Sequence, residues 1–176
     1  MPATLAPPRL GRDLIPQKLY KRLVARLEVD HPEVADDAGR IVDQALAFLA
    51  ACGPALDRGL RPSRAVDLGW HTFLLFTKDY SLFCRKVAGT YIHHVPDDKP
   101  ASAGKCAPEP DGCHAGGDPA GHPGSGGIAR TVRAIERLGY QIEPDLWASA
   151  ADCADEGNCS ASGKDGDENQ GSRIPK

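Results

Sequence analysis

One segment of the chain constrains the fold more than any other. From Ser63 to Ala88 the sequence has no helix-breaking residue other than Gly69, and apolar side chains occur nearly all the way around a helix drawn through it. Pro62 and Ser63 are a typical helix start, and Gly89 is a typical end. The pattern predicts one continuous helix, Ser63 to Ala88, that is the most enclosed element of the molecule.

Three more segments have helical spacing. Ile15 to Val29 places leucines four apart, Pro32 to Cys52 has acidic residues in its first turns, and Gly127 to Leu138 ends before a glycine. The stretch YQIEPDLW then predicts a turn that returns Trp147 to the core. No strand alternation is evident, so no strand is expected. The sequence therefore predicts an all-α fold, a small bundle of about four helices.

Composition separates an ordered part of the chain from an unordered one. The length of 176 residues suits a single domain with a substantial core. Residues 97–127 and 150–176 contain almost no large apolar side chain, so burial cannot offset the entropy of ordering them. We therefore expect a flexible N-terminus at 1–13, a helical domain at 14–149 with a mobile Gly/Pro-rich insertion at 97–127, and a disordered acidic tail at 150–176.

Charge and hydropathy argue against several classes of protein. The formal net charge of −3 gives no basic surface for neutralising phosphates, so nucleic acid is not an expected partner. No apolar run has the length of a signal peptide core or of a membrane span. We therefore expect a cytoplasmic protein that contacts no membrane. In that compartment its six cysteines are expected to be thiols or metal ligands rather than a disulfide framework.

The cysteines outside the predicted helices leave more than one interpretation open. A zinc loop could be formed by Cys106, Cys113, His114 and His122, although the spacing matches neither a Cys-x-x-Cys zinc knuckle nor a Cys-x-x-Cys-His haem attachment signal. The four loop and tail cysteines, Cys106, Cys113, Cys153 and Cys159, could instead assemble one site jointly. A thiol-bearing linker without a metal is the preferred interpretation.

The best candidate site lies on the predicted helix Ser63 to Ala88. Because a helix advances about 100° per residue, Asp67 and His71, one turn apart, face the same way. Lys78 and Arg85 continue the same strip. Cys84 falls on a different side of an unbroken helix and cannot share a metal with His71. Asp67 and His71 can both be metal ligands, or Asp67 can orient His71 through its other ring nitrogen.

A third ligand would have to come from the doublet His93 and His94. Extended backbone is favoured just before Pro96, so the two side chains should point to opposite sides and at most one should face His71. Asp67, His71 and one of this pair would then form a site for zinc or iron with an open coordination position. The competing interpretation is a hydrated or ion-paired surface, with one histidine of the doublet capping the helix or bonding to a carbonyl.

The aromatic and thiol groups of the helical segments favour packing over chemistry. Aromatic rings dominate helical cores, and a free thiol behaves there as a small apolar group. The residues concerned are Trp70, Tyr80, Phe83, Cys84 and Cys52. We expect all of them to be buried.

The candidate segment also resembles the signature of a known family. Its succession of Asp, Trp-His, Tyr, Phe-Cys, Gly and His-His-x-Pro is similar to that of the glycine-rich domain-containing protein-like family, and RLGYQIEPDLW is similar to the family's return segment. The matching residues are Asp67, Trp70, His71, Tyr80, Phe83, Cys84, Gly89, His93, His94 and Pro96. Phe73 departs from the pattern, since many relatives have a second His there. The resemblance implies a helical fold and a poorly ordered tail, but no established activity.

These features together predict a small binding or interaction domain with an unknown protein or small-molecule partner. A metal held by Asp67, His71 and His93 or His94 would assist it. The alternative is a zinc- or iron-dependent enzyme in which the same residues activate water or oxygen. The sequence leaves both classes open.

Overall fold

The computed structural model describes residues 7–53, 60–96, 125–148 and 159–162, with the backbone alone at 95–96, 125–126 and 159–162. This part of the chain contains six α-helices: α1 (Gln17–Asp30), α2 (Ala38–Cys52), α3 (Arg64–Leu74), α4 (Thr77–Phe83), α5 (Ser125–Arg137) and α6 (Pro144–Ala148). Short 3-10 helices, Gly11–Leu14 and Pro32–Asp37, precede α1 and α2. The predicted all-α class is confirmed.

Two of the sequence predictions fall mainly outside the described residues. Of the predicted mobile insertion only residues 125–127 are described, and of the predicted tail only residues 159–162. The domain boundaries therefore stay predictions. Within the described residues, none of the helices combines the length and the apolar composition that crossing a bilayer requires.

Helix α2 is the element most enclosed by its neighbours. Every residue from Ile41 to Cys52 is buried. Alanines at positions 45, 47, 50 and 51 keep the helix thin, so α1, α3 and α5 all pack directly on it. The prediction that the Ser63 to Ala88 segment is the most enclosed helix is therefore wrong, because α3 leaves Arg64 and His71 exposed.

The predicted continuous helix is interrupted near its middle. Helices α3 and α4 meet at Phe76, which leaves the helical conformation with φ −94° and ψ 56°. In an unbroken helix Trp70 and Tyr80 would be about 15 Å apart along the axis. The bend instead brings Trp70 Nε1 to 3.0 Å from the Tyr80 hydroxyl. The prediction of one helix is wrong because buried pairing between aromatic side chains overrides local helix propensity.

The end of this helical region and the strand that follows it place the histidine doublet. Helix α4 ends in a π-helical turn, Cys84–Ala88, and Gly89 then has φ 79°, a conformation that side chains disfavour, which confirms the predicted stop. Strand β1 (His93–Pro96) pairs antiparallel with strand β2 (Cys159–Ser162). The expectation of no strand is wrong here, because an extended segment offers unpaired backbone groups to another extended segment.

Helices α2 and α3 cross closely at Gly69. A Cβ atom at this position would lie 2.9 Å from Cβ of Ala45 and 3.0 Å from the backbone oxygen of Ile41, so a larger residue would push the helices apart. Gly69 lies within α3 and does not break it. Its lack of a side chain allows α3 to lie directly against α2. This contact point is two residues from Asp67 and two residues from His71.

A buried amide joins α2 to the region of α6. Gln44 is fully buried, and its Nε2 donates to the Gln141 carbonyl at 3.0 Å. Its Oε1 accepts hydrogen bonds from Trp147 Nε1 at 2.8 Å and from the Glu143 backbone N–H at 3.3 Å. We call these four residues the Gln44 cluster. It holds Trp147 in the core, which confirms the predicted return of the YQIEPDLW stretch.

Candidate metal centre

Two of the candidate ligands lie on α3, one turn apart. Ser63 caps this helix: its Oγ accepts a hydrogen bond from the Val66 backbone N–H at 3.3 Å and donates one to the Leu146 carbonyl at 2.6 Å. The cap fixes the start of α3 and places Asp67 in the first turn, where the helix dipole favours a carboxylate. His71 follows one turn later, with its Nδ1 3.7 Å from Asp67 Oδ2.

The third candidate ligand, His94, comes from β1 and lies over α3. Its Nε2 is 3.0 Å from Asp67 Oδ1, a hydrogen-bonding distance. The centroid of its ring lies 4.3 Å from that of Trp70 and 4.3 Å from that of His71. Packing against Trp70 and the hydrogen bond to Asp67 therefore hold His94 beside His71.

The three side chains differ in their exposure to solvent. Those of His94 and Asp67 are 11% and 16% exposed, whereas that of His71 is 49% exposed. Partial burial lowers the pKa of His71 below its usual value; Asp67 acts against this shift and His94 acts with it. A lowered pKa favours the neutral imidazole, which is the form that binds a metal.

Asp67, His71 and His94 together form the Asp–His cluster. One donor atom from each residue lies within 4.8 Å of the others. Tetrahedral zinc, with bonds of about 2.0 to 2.1 Å, needs donor atoms about 3.4 Å apart. His94 Nε2 lies 3.0 Å from Asp67 Oδ1, and His71 Nδ1 lies 3.7 Å from the other carboxylate oxygen, Oδ2, so each imidazole is near a different oxygen of Asp67. Asp67, His71 and His94 are thus the residues that could hold a cation, and a carboxylate in contact with an imidazole is also an arrangement typical of proton transfer.

His93 lies away from the cluster. Neighbouring side chains of a strand point to opposite faces, and the His93 ring packs against Tyr91 in a tilted arrangement with centroids 4.8 Å apart. The prediction that at most one histidine of the doublet faces His71 agrees with this geometry, and the one that does is His94.

The strip of charge predicted on the long helix does not exist. The bend at Phe76 ends the helical register, and Lys78 lines an open groove together with Arg22 and Arg26 of α1. Arg85 is exposed on the π-helical turn. The prediction that Lys78 and Arg85 share one strip with Asp67 and His71 is therefore wrong.

The residues predicted to pack are confirmed as buried: Trp70, Tyr80, Phe83, Cys84 and Cys52. Tyr80 also supports the cluster, a role that the sequence did not reveal. Its hydroxyl accepts a hydrogen bond from Trp70 Nε1 and donates one to the Ile92 carbonyl at 2.6 Å. It thereby anchors the ring beneath His94 and the backbone that leads into β1. Helical spacing gives no sign of this contact, because it depends on the bend.

The loop and tail cysteines stay untested. Cys106, Cys113, His114, His122 and Cys153 lie outside the described residues, and Cys159 is described by its backbone alone. The zinc loop, the joint zinc site and the metal-free linker all remain predictions.

A family match covers the region that carries the Asp–His cluster. The model of the UCP032817-like family matches residues 12–105, which is more than half of the chain. The chain belongs to the UCP032817-like family. The UCP032817-like family is uncharacterised. No curated protein and no solved structure gives a significant match to the chain.

The resemblance to the glycine-rich domain-containing protein-like family is therefore wrong, since the matching family is the UCP032817-like one. The physical source of the error is that several of the motif positions, such as Trp70, Tyr80 and Phe83, are core residues. Buried aromatic side chains recur in unrelated helical cores and identify no single family. The UCP032817-like match includes all three residues of the Asp–His cluster and ends before α5.

Proposed function

We propose that this chain is a small helical domain that binds one divalent metal ion, with zinc as the best-suited ion, through the Asp–His cluster. The observation that supports it is the convergence of one carboxylate and two imidazoles within 4.8 Å. The three side chains come from two separate elements, α3 and β1, so helical spacing alone does not account for their meeting.

The donor set narrows the class of ion. Carboxylate oxygen and imidazole nitrogen suit zinc, and two histidines with one carboxylate are also the ligands of many non-haem iron(II) sites. Asp67 and His94 are largely buried, and His94 packs against Trp70, whereas about half of the His71 side chain is exposed to solvent. An ion held there keeps an open coordination position on its solvent side. A donor atom from a partner molecule can complete the coordination, which is how a metal assists binding.

The alternative function, a metal-dependent enzyme that uses the same residues to activate water or oxygen, stays a prediction. Two grooves in the part of the chain that the structure describes are lined by residues outside the Asp–His cluster, and neither provides that cluster with a substrate pocket. No observation on the described residues favours catalysis over binding, so we propose binding as the function.

Metal titration of the purified full chain tests the proposal. Elemental analysis of fresh protein comes first, followed by titration of the metal-free chain with zinc and, without oxygen, with iron(II). We expect one ion per chain. His71→Ala and His94→Ala should each lower the affinity about a hundredfold or more. His93→Ala, a neighbouring histidine on the other face of β1, is the matched control and should bind as wild type does.

Two controls separate loss of the site from loss of the fold. Circular dichroism and thermal unfolding in the presence of a chelator should be measured for every variant, because His94→Ala also removes packing against Trp70. A wild-type chain that is helical yet binds neither ion contradicts the proposal. The Asp–His cluster would then serve only to attach β1 to α3.

A further inference from the structure

The ribbon formed by β1 and β2 brings a segment from near the end of the chain beside the Asp–His cluster. Strand β1 carries His94, and β2 lies beyond the family match, which ends at residue 105. The two strands pair antiparallel in one register: His93 with Ser162, His94 with Ala161, Val95 with Ser160 and Pro96 with Cys159.

This register determines which positions of β2 share a face of the ribbon with His94. Residues directly opposite each other in an antiparallel pair lie on the same face, and so do residues two apart along one strand. His94 lies opposite Ala161, and position 159 is two residues from Ala161 along β2. Cys159 therefore belongs to the same face of the ribbon as His94.

The face that carries His94 is the one turned toward α3. The His94 ring packs against Trp70, and its Nε2 lies 3.0 Å from Asp67 Oδ1. His93, on the opposite face, packs against Tyr91 instead. Position 159 is thus on the side of the ribbon where the Asp–His cluster lies.

The separation between the two positions suits a shared metal ion. His94 and Cys159 are diagonal neighbours across the ribbon. Diagonal neighbours in an antiparallel pair are about 7 to 8 Å apart, which is within reach of long side chains. Zinc bonds of about 2.1 Å to nitrogen and about 2.3 Å to sulfur extend the reach of both side chains across this gap.

The Asp–His cluster supplies three of the four donors that tetrahedral zinc takes. Its donors come from α3 and β1 and lie within 4.8 Å of one another. Zinc sites with four protein ligands are closed, whereas sites with three keep an open position. Cysteine thiolate is a preferred zinc ligand, and the thiol releases its proton to solvent when the ion binds.

We propose that Cys159 is the chain's own fourth ligand for the ion held by Asp67, His71 and His94. This inference rests on the proposed metal-binding function. An ion bound in this way joins the C-terminal segment to α3, so that a two-stranded ribbon, which is only marginally stable by itself, gains a second anchor. A partner's donor atom then has to displace the Cys159 thiolate before it can reach the ion.

Cobalt(II) in place of zinc tests for the thiolate. A cobalt–thiolate bond gives a charge-transfer absorption band in the near ultraviolet that imidazole and carboxylate ligands do not give. The full chain is used under reducing conditions with Cys106→Ser, Cys113→Ser and Cys153→Ser, so that these thiols cannot produce the band. One equivalent of cobalt(II) should produce it. Adding Cys159→Ser should abolish the band and lower the affinity for zinc about tenfold or more.

Two matched variants test whether the thiol acts at this site and on this face. Ser160→Cys, added to the Cys159→Ser chain, places a cysteine at a position of the opposite face and should not restore the band. His71→Ala in the chain that keeps Cys159 should lose the band at equal cobalt concentration, because the ion then lacks another of its ligands. Hydrogen exchange gives an independent readout: zinc should slow exchange of the backbone amides of residues 159–162 in wild type but not in Cys159→Ser.

The outcomes separate failure of this inference from failure of the metal site. A chain that binds one cobalt ion without the band overturns the role of Cys159 and leaves the proposed metal-binding function standing. A chain that binds no ion overturns both. A band that persists in Cys159→Ser or in His71→Ala, or that returns with Ser160→Cys, overturns the role of Cys159 alone.

Discussion

The Gln44 cluster and the Asp–His cluster both bring polar side chains from separate elements together, but they differ in how completely those side chains are paired. Gln44 is neutral and fully buried, and its amide oxygen accepts two hydrogen bonds while its nitrogen donates to a backbone carbonyl. Asp67, His71 and His94 are titratable, and one side of His71 is open to solvent. Neutral groups with complete pairing serve the fold, whereas titratable groups with an open side leave room for a ligand.

The energetic consequences of the two arrangements also differ. Removing a group from a fully paired, buried set leaves its partners without hydrogen bonds and without water, which costs the full desolvation free energy. A partly exposed set can turn to water instead. Substitution in the Gln44 cluster should therefore reduce stability, and substitution in the Asp–His cluster should mainly reduce ligand binding.

The largest expected effect is on folding, from Gln44→Leu. Leucine keeps the size of the side chain but leaves the buried Trp147 N–H unpaired and the half-buried Gln141 carbonyl without its side-chain donor, so the free energy of unfolding should fall by about 3 kcal/mol. Urea unfolding followed by circular dichroism measures this. Gln17→Leu, at an exposed position on α1, is the control and should change stability by less than about 0.5 kcal/mol. If Gln44→Leu and Gln17→Leu lose equal amounts of unfolding free energy, the Gln44 cluster does not stabilise the fold as proposed, and the contrast with the Asp–His cluster fails.

The second effect is on metal-dependent stability, from Asp67→Asn. In wild type, free zinc at about one hundred times the dissociation constant should raise the free energy of unfolding by about 2.7 kcal/mol. The variant should lose this gain because it lacks the carboxylate. In the absence of metal it should lose only about 1 kcal/mol, the net contribution of one hydrogen bond.

The measurement for Asp67→Asn is urea unfolding with and without zinc. Asp13→Asn, an exposed carboxylate near the N-terminus, serves as the control and should keep the full response to zinc. If Asp67→Asn unfolds far more easily than wild type without metal, the Asp–His cluster is structural and the comparison with the Gln44 cluster fails.

The smallest effect is expected at an exposed network that holds α6 to α2. Arg40 Nη2 lies 2.6 Å from Asp145 Oδ1 and 2.8 Å from Glu143 Oε2. The hydrogen bond from Arg40 lowers the pKa of Asp145 below its usual 3.8. A depressed carboxyl pKa contributes stability that is present above pH 3.8 and is lost as the pH falls through the lower, folded value.

In Asp145→Asn the free energy of unfolding should therefore fall less steeply than in wild type as the pH is lowered, because the amide does not titrate. Unfolding free energies of wild type and variant, measured across the acidic range, check this. The difference should be slight and should shrink in high salt, because exposed ion pairs are screened. An unchanged acid profile would show that Arg40 contributes nothing through this carboxyl.

The sequence predicted the helical class and two of the three residues of the Asp–His cluster because both depend on local periodicity. The i, i+4 spacing of Asp67 and His71 and the start signal at Ser63 were enough to place these two residues on one helix face. His93 and His94 were two candidates for the third residue of the site. Because side chains alternate between the two faces of a strand, at most one of them was expected to face His71. Which one faces it, His94, depends on the register of β1 over α3, and no local pattern encodes that register.

The features that the sequence missed are tertiary. The bend at Phe76 follows from contacts among Trp70, Tyr80 and Ile92, which lie far apart along the chain. Helix α2 is enclosed because α1, α3 and α5 pack on its alanines. The apolar content of the sequence had instead predicted that the segment from Ser63 to Ala88 would be the most enclosed helix. In both places packing between elements outweighs the local pattern.

The close crossing at Gly69 determines which part of the Asp–His cluster has room to adjust if an ion binds. Because α3 touches the backbone of α2 there, the helix backbone that carries Asp67 and His71 has no room to shift inward. His94 is held as well, since its ring packs against Trp70 and bonds to Asp67. The His71 side chain is 49% exposed and can turn, so its ring is the group whose position should report that an ion has arrived.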